Sequence, residues 1–341
     1  MLIVEHGNIL TPDPIGHATI VCAAGRIEKI AAEFSRDDAR AFEPEYVDAS
    51  GCLVIPGLID CHTHLIGGSG EKGFASASGS ISARELIAAG ITTVVGLLGT
   101  DTTTKTLPFL LAKVKALRSE GLNAWMWTGG YDARSLTGVV RDDIVLIEEI
   151  IGAGEVAIAD RRGVHFDARE LARLASDCYI AGTLTGKAGV LHLHTGELGE
   201  KLSILRTLLD MGVPAATLHP THVNRNEALL RDAADLTRRG VAVDFDVVDE
   251  DLADWLPLFD GDRSLLTVST DSPIGRPAAL YEQLRKVGLE ETLPFATRNP
   301  ARILKLHDAG EIAVGRRADL VLIDEQTREI RQVIVNGKIW Q

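Results

Sequence analysis

Two histidines, His62 and His64, close an apolar run that starts Ile55-Pro56-Gly57-Leu58-Ile59-Asp60. Read as a strand, this run alternates its side chains between faces, so both imidazoles share one face and Thr63 turns away. Two imidazoles on one face of a strand end are suited to gripping a metal ion. Groups of the same chemistry stand beside later apolar runs. They are Glu155 in Glu155-Val156-Ala157-Ile158-Ala159, His192 and His194 in His192-Leu193-His194-Thr195-Gly196, His219 and His222 in His219-Pro220-Thr221-His222, and Asp271 after Leu265-Leu266-Thr267-Val268-Ser269-Thr270. A lone strand histidine is ordinarily structural, and an aspartate after a strand is ordinarily a helix cap. The joint pattern of imidazoles and carboxylates is what points to a metal centre. His192 shares a face with His194, so parity does not choose between them.

These groups need a scaffold that gathers strand ends. Strand-like runs occur at 53–59, 91–98, 123–128, 155–159, 190–194, 215–219, 241–247 and 265–269. Helical stretches lie between several of them. Ser82 to Gly90 has an N-cap serine, a later Glu85 and a closing glycine. Pro108 to Glu120, Ala168 to Ala175, Lys201 to Met211, Glu227 to Arg239 and Ala278 to Val287 have helical spacing or flanks. Such alternation over about 250 residues predicts a parallel (β/α)8 TIM-type barrel over residues 56–305, whose functional groups collect where strands end. A doubly wound open sheet is the weaker α/β alternative, because no Gly-x-Gly-x-x-Gly opens a helix after an early strand. Residues 1–55 and 306–341 read as short strands separated by turns such as Pro12-Asp13-Pro14 and Ala24-Gly25. Neither end carries enough apolar surface to fold alone. They are expected to pair into one small, discontinuous β-sandwich domain.

Composition narrows the partners. The 341 residues are 45% apolar and 24% charged, as in a globular protein. The formal net charge of −13 argues against nucleic acid or an anionic membrane. A local pair of arginines could still receive an anionic small molecule. Met1 to Leu10 lacks a basic-then-apolar signal pattern, and no run of about 18 apolar residues appears, so no membrane span is expected. The cysteines Cys22, Cys52, Cys61 and Cys178 have no Cys-x-x-Cys spacing and read as buried thiols of a cytoplasmic protein. Cys61 reads as packing, not as a ligand.

Histidine pair, acid, histidine, histidine and aspartate on strands one, four, five, six and eight resemble the binuclear amidohydrolases. Within that superfamily the chain most resembles the isoaspartyl dipeptidases (beta-aspartyl dipeptidases). The resemblance covers nearly the whole length. It rests on His64-Leu65-Ile66-Gly67-Gly68-Ser69-Gly70-Glu71, Gly96-Leu97-Leu98-Gly99-Thr100-Asp101, Arg141-Asp142-Asp143 and Pro220-Thr221-His222-Val223-Asn224-Arg225-Asn226. It implies two divalent metal ions, most naturally Zn²⁺. His62, His64 and Asp271 would hold the first, and His194 and His222 the second. Many relatives bridge the pair with a carboxylated lysine. The matching position here is Glu155, whose carboxylate would bridge the metals together with a hydroxide. His219 is expected to be structural or to act behind a ligand, and Lys187 is poorly placed to substitute for the bridge.

The resemblance also implies a reaction, hydrolysis of the β-aspartyl bond of an isoaspartyl dipeptide. The bridging hydroxide would attack, Asp271 would shuttle its proton to the departing amine, and Tyr131 would hydrogen-bond the developing oxyanion. Glu71, assisted by Thr100, would bind the free amino group. Arg162 and Arg225 offer planar forks for carboxylates. One departure bears on substrate. Relatives place a serine a few residues after the strand-eight aspartate, whereas this chain has Gly275 there, which leaves Ser272 or Arg276 as the expected carboxylate contact. Alternatives are another amidohydrolase reaction on the same barrel, such as deacylation of an N-acyl amino acid, lactone opening or deamination, or a barrel reused as a non-catalytic scaffold. Glu71 with the two arginines weighs against a neutral nucleobase. A homo-oligomer is an expectation of the resemblance only.

Overall fold

The protein is described by a computed structural model covering residues 1–68 and 72–340. Eight parallel strands form the central barrel: β1 (Leu58–Thr63), β2 (Ile91–Gly96), β3 (Asn123–Thr128), β4 (Ile150–Ile158), β5 (Val190–Thr195), β6 (Leu218–Thr221), β7 (Val243–Asp246) and β8 (Leu266–Ser269). The first six pair in chain order, and β7 pairs with β8. The Val223 N–H donates to the Asp244 carbonyl at 3.4 Å, which joins β6 to β7. Closure falls between β8 and β1. There the Asp271 N–H donates to the His62 carbonyl at 3.1 Å, and the His64 N–H to the Ser272 carbonyl at 2.7 Å.

The strands are buried along their length, as expected when helices cover the outside of a parallel sheet. The helices follow the local signals. Ser82 and Glu85 form a capping box before Ala83–Ala88. Thr106 caps Leu107–Ser119 with Pro108 in its first turn. Asp167 and Glu170 form a second capping box, and that helix runs on to Thr185, well beyond the expected end at Ala175, because Ala175, Cys178, Ala181 and Gly182 keep a buried face. Among the described residues no helix is long and apolar enough to cross a membrane.

Two strand boundaries differ from expectation. The fourth strand starts at Ile150, so Glu155 stands within it and not at its start. Gly152 and Gly154 disguise the first half of this strand. A Cβ at Gly152 would lie 2.3 Å from the Val190 carbonyl oxygen and 2.6 Å from the Trp127 ring, so close packing requires glycine where the apolar pattern looks interrupted. Part of the expected 215–219 run is a tight turn over Ala215–Thr217, and the sixth strand follows it.

The two ends of the chain share one eight-stranded mixed sheet. It takes Leu2–Thr11, Asp13–Ala23, Arg26–Ala31, Glu45–Asp48 and Cys52–Pro56 from the front, and Leu320–Asp324, Ile330–Val335 and Lys338–Trp340 from the back. Its own core includes Leu2, Val4, Ile9, Ile20, Val54, Leu320, Leu322 and Ile334. Asp319 fastens this sheet to the foot of the barrel, accepting from Asn123 Nδ2 at 2.9 Å and from the Asn336 N–H at 2.8 Å.

Candidate metal centre

The closure of the barrel assembles the first group of donors. Asp60 on β1 accepts from the Thr270 hydroxyl at 2.5 Å and from the Thr270 N–H at 3.3 Å. Burial pushes its carboxyl up to about 6, against the lowering effect of those bonds. This clamp sets β1 beside the turn after β8. His62 Nε2 then lies 3.1 Å, and His64 Nε2 3.0 Å, from Asp271 Oδ1. Asp271 holds a left-handed backbone (φ 50°), as does His222 (φ 63°). For residues with a Cβ this conformation is uncommon, and at a site it aims the side chain where a relaxed turn would not.

Glu155 faces both histidine pairs. Between Ala153 and Val156, β4 carries one residue more than the matching stretch of β5 from Leu191 to Leu193. Such a bulge bends the strand and re-aims the residues within it. Glu155 Oε1 lies 3.5 Å from His64 Nε2. Its Oε2 lies 3.0 Å from His194 Nδ1, 3.6 Å from His62 Nε2 and 3.7 Å from His222 Nε2. Two groups of converging donor atoms result, His62, His64 and Asp271 in one and His62, Glu155 and His222 in the other, all buried. His194 stands beside the second group. Its Nε2 is turned to Asp160 Oδ2 at 3.0 Å and to Arg162 Nη2 at 3.2 Å.

The electrostatics ask for positive charge. Burial disfavours the charged form of Glu155, yet His62 and His194 outweigh burial and hold its carboxyl well below the usual range. Asp271 is likewise held low against burial by His62 and His64. Burial opposes protonation of His62, and the charges of Glu155 and Asp271 reverse this and raise it to about 9. His62 Nε2 and Asp271 Oδ1 are buried without a well-formed hydrogen bond among the described residues. Buried orphan atoms of complementary donor type, converging on one point, are what a divalent cation needs, and neutral imidazole with carboxylate suits zinc. The residues present therefore fit a metal centre.

Sequence reasoning missed Asp246. It accepts from His222 Nδ1 at 2.7 Å and from the Val248 N–H at 3.2 Å, while the Asn224 N–H2 group donates to its carbonyl at 2.8 Å. A carboxylate behind a ligating imidazole fixes the ring's tautomer and orientation. Strand parity was the available signal, since Asp244 and Asp246 share a face at the end of Val243-Asp244-Phe245-Asp246.

A cleft of about 460 Å³ opens over these groups, lined by His64, Glu155, His194, His222, Asp246 and Asp271 together with Thr100, Tyr131, Arg162 and Arg225. The structure thus gathers the expected metal ligands together with Thr100, Tyr131, Arg162 and Arg225. Glu71 lies outside the described residues. The buried Tyr131 hydroxyl lies 2.9 Å from His194 Nδ1, and burial first, then Glu155, raises its pKa well above the ordinary value. Its loop is fastened by Asp143 of the Arg141-Asp142-Asp143 motif, which accepts from the Thr128 hydroxyl at 2.5 Å and the Leu136 and Thr137 N–H groups at 2.7 and 2.8 Å. Arg162 pairs with Asp160 at 2.6 Å, and Arg225 Nη1 donates to the Thr195 carbonyl at 3.3 Å.

The turn after Asp271 corrects one expectation. A Cβ at Gly275 would lie 2.3 Å from the Thr270 carbonyl oxygen, so no serine fits there. Neither proposed substitute reaches the cleft. Ser272 is fully buried in the closure of the barrel, and Arg276 is exposed and pairs with Glu282 at 2.7 Å. Lys72, Ser76 and Ser78 line the cleft instead.

The fold is an α/β barrel that carries candidate metal-ligand groups at its strand ends. The model of the Amidohydrolase family matches residues 53–340, and the chain belongs to that family. Within it, the chain is similar over its whole length to the beta-aspartyl dipeptidase of Fervidobacterium islandicum AW-1, solved in complex with beta-Asp-Leu dipeptide. The two are 33% identical, 99% of this chain and 96% of that one are covered, and the TM-score is 0.91. A second structure of that enzyme gives 34% identity over the same shares and a TM-score of 0.93. The resemblance to isoaspartyl dipeptidases therefore holds. A dihydroorotase of Carboxydothermus hydrogenoformans is 25% identical over 99% of this chain and 92% of its own length. An imidazolonepropionase of Idiomarina loihiensis is 32% identical, but over 34% of this chain and 29% of its own length.

Proposed function

We propose that this amidohydrolase is a binuclear isoaspartyl dipeptidase that cleaves the β-aspartyl bond of a dipeptide with a free amino group. The observation supporting this most directly is the meeting, in one cleft, of two ligand groups, the Tyr131 hydroxyl and the two guanidinium groups of Arg162 and Arg225. In this reading His62, His64 and Asp271, with His194, His222 and Glu155 beside them, would hold two divalent cations. Bound there, divalent cations such as Zn²⁺ would supply Lewis acidity and make a water a strong nucleophile at neutral pH.

The chain's own residues do the rest. Asp271 accepts the proton of the attacking water and passes it to the departing amine. Tyr131, kept protonated by burial first and by Glu155 second, donates to the carbonyl oxygen as charge develops there. Arg162 and Arg225 hold substrate carboxylates through their planar forks. Glu71 and Thr100 receive the amino group.

The test is hydrolysis of β-Asp-Leu beside α-Asp-Leu and N-acetyl-β-Asp-Leu, with bound metals counted on the same zinc-supplied sample. Two metals per chain and cleavage confined to β-Asp-Leu are expected. Two metals without cleavage of β-Asp-Leu would overturn the substrate, and metal content near zero would overturn the hydrolase reading itself.

A further inference from the structure

Beneath the metal centre, polar groups run through the interior of the barrel. His62 Nδ1 lies 2.8 Å from His192 Nε2. His192 Nδ1 lies 3.1 Å from His219 Nδ1. His219 Nε2 lies 3.0 Å from Thr267 Oγ1, whose hydroxyl donates to Asp244 Oδ1 at 2.5 Å. All five side chains are fully buried, each at 0% exposure. Trp127 stacks on His192 with ring centroids 5.2 Å apart and donates its own N–H to the Cys61 carbonyl at 3.1 Å.

The direction of every bond in this series is determined by its far end. The Asp244 carboxylate also receives the Thr221 and Ser269 hydroxyls, at 2.7 and 2.6 Å, so it acts as acceptor throughout. Thr267 spends its one hydrogen on Asp244, and its oxygen is left to accept from a His219 Nε2–H. A neutral His219 protonated at Nε2 has a bare Nδ1, which accepts from a His192 Nδ1–H. His192 then has a bare Nε2, which accepts from a His62 Nδ1–H. The remaining nitrogen of His62, Nε2, is thereby left with its lone pair toward Asp271 and Glu155. With a cation at His62 Nε2 in place of the proton that Glu155 and Asp271 otherwise favour there, each donor meets one acceptor and no ring needs a second proton.

We propose that His192, His219, Thr267 and Asp244 are positioning residues, a one-way hydrogen-bond series that holds His62 in the Nδ1–H tautomer and so presents its Nε2 lone pair to the metal. The proposal rests on the reading of His62 as a ligand given above. It gives a role to His192, which strand parity does not separate from His194, and to His219, which the sequence leads one to expect as structural or as acting behind a ligand. It also explains why His219 and Asp244, whose donor atoms converge with that of Cys61, serve in this series and not as another metal site, since three hydroxyl donors already occupy the Asp244 oxygens.

Two measurements on the full chain test it. In zinc-loaded protein labelled with ¹⁵N at its ten histidines, ring-nitrogen shifts report the tautomers. Protonation of His62 and His192 at Nδ1, and of His219 at Nε2, is expected, and His192 protonated at Nε2 would overturn the series without any substitution. The second compares zinc affinity, by competition with a chromophoric chelator, in the wild type, Thr267→Val and Thr267→Ser. Valine should weaken zinc binding about 10- to 100-fold and serine should restore it, as for other partners behind ligating imidazoles. Thermal unfolding of the metal-free proteins separates this from a packing effect. Valine lowering the unfolding temperature with zinc affinity unchanged would overturn the proposal. A wild type that takes up no zinc would instead overturn the reading of the metal centre.

Discussion

Gly275→Ser installs the residue that the resemblance leads one to expect, and the structure says it should damage the enzyme. The new Cβ would start 2.3 Å from the Thr270 carbonyl oxygen, and the separation must exceed 3.0 Å for any real side chain. The turn must therefore move by at least about 0.7 Å, and a shift near 1 Å at a site of reaction can cost about 10²-fold in rate. The displacement reaches Asp271 directly, because the N–H groups of Ile274 and Gly275 both donate to the Asp271 carbonyl, at 3.0 and 3.2 Å. Asp271 has little slack, since its left-handed backbone is held and its Oδ1 sits 3.0 Å from His64 Nε2. On β-Asp-Leu, kcat should fall about 10²-fold, equivalent to about 2.7 kcal/mol of barrier, and overpacking should lower stability by about 1–3 kcal/mol. Gly275→Ala should fall equally, because the obstacle is the Cβ and not the hydroxyl. Steady-state kinetics, metal counting and thermal unfolding on all three proteins decide it. A serine variant as active as wild type, or clearly more active than the alanine variant, would refute the steric argument and return a substrate-binding role to position 275.

How much of this was legible beforehand differs from residue to residue, for physical reasons. His62, His64, Asp271 and the barrel were readable because strand alternation and the eight-fold spacing are local properties of the chain. The true start of the fourth strand was not, because Gly152 answers to Trp127 and Val190, residues remote in sequence. Asp246 could have been found by parity, but a second acid beside an apolar run looks like a surface residue until His222 is placed against it. His192 and His194 lie on the same face of β5, and only their depth separates them. His194 reaches Glu155 in the cleft, whereas His192 lies one pair of residues deeper, stacked on Trp127. Depth along a barrel axis is set by the stagger of neighbouring strands, which a single strand's pattern does not carry.

Asp271→Asn should keep the fold yet lower kcat about 10²- to 10⁴-fold by removing the proton acceptor, and near-normal turnover would remove Asp271 from that role. Tyr131→Phe should lower kcat about 10²- to 10³-fold with KM little changed, and a loss confined to KM would make it a binding residue only. The thiols predict a pH effect far from the site. All four cysteines are buried. Burial pushes both Cys22 and Cys178 from 9.0 up to about 12, in Cys22 with a smaller push from Glu28. A thiol raised in the folded state stays protonated while its unfolded counterpart ionises. The stability it contributes is complete below pH 9 and is lost as pH rises toward 12, by up to about 1.4 kcal/mol per pH unit for each group. Denaturant unfolding at pH 8 and pH 10.5 should show this decline, and Cys22→Ala with Cys178→Ala should flatten it relative to wild type, whatever the substitutions cost at pH 8. A decline of equal slope in the double variant would place the alkaline sensitivity elsewhere. Rapid labelling of either thiol in the native protein at pH 8 would contradict the burial from which the argument starts.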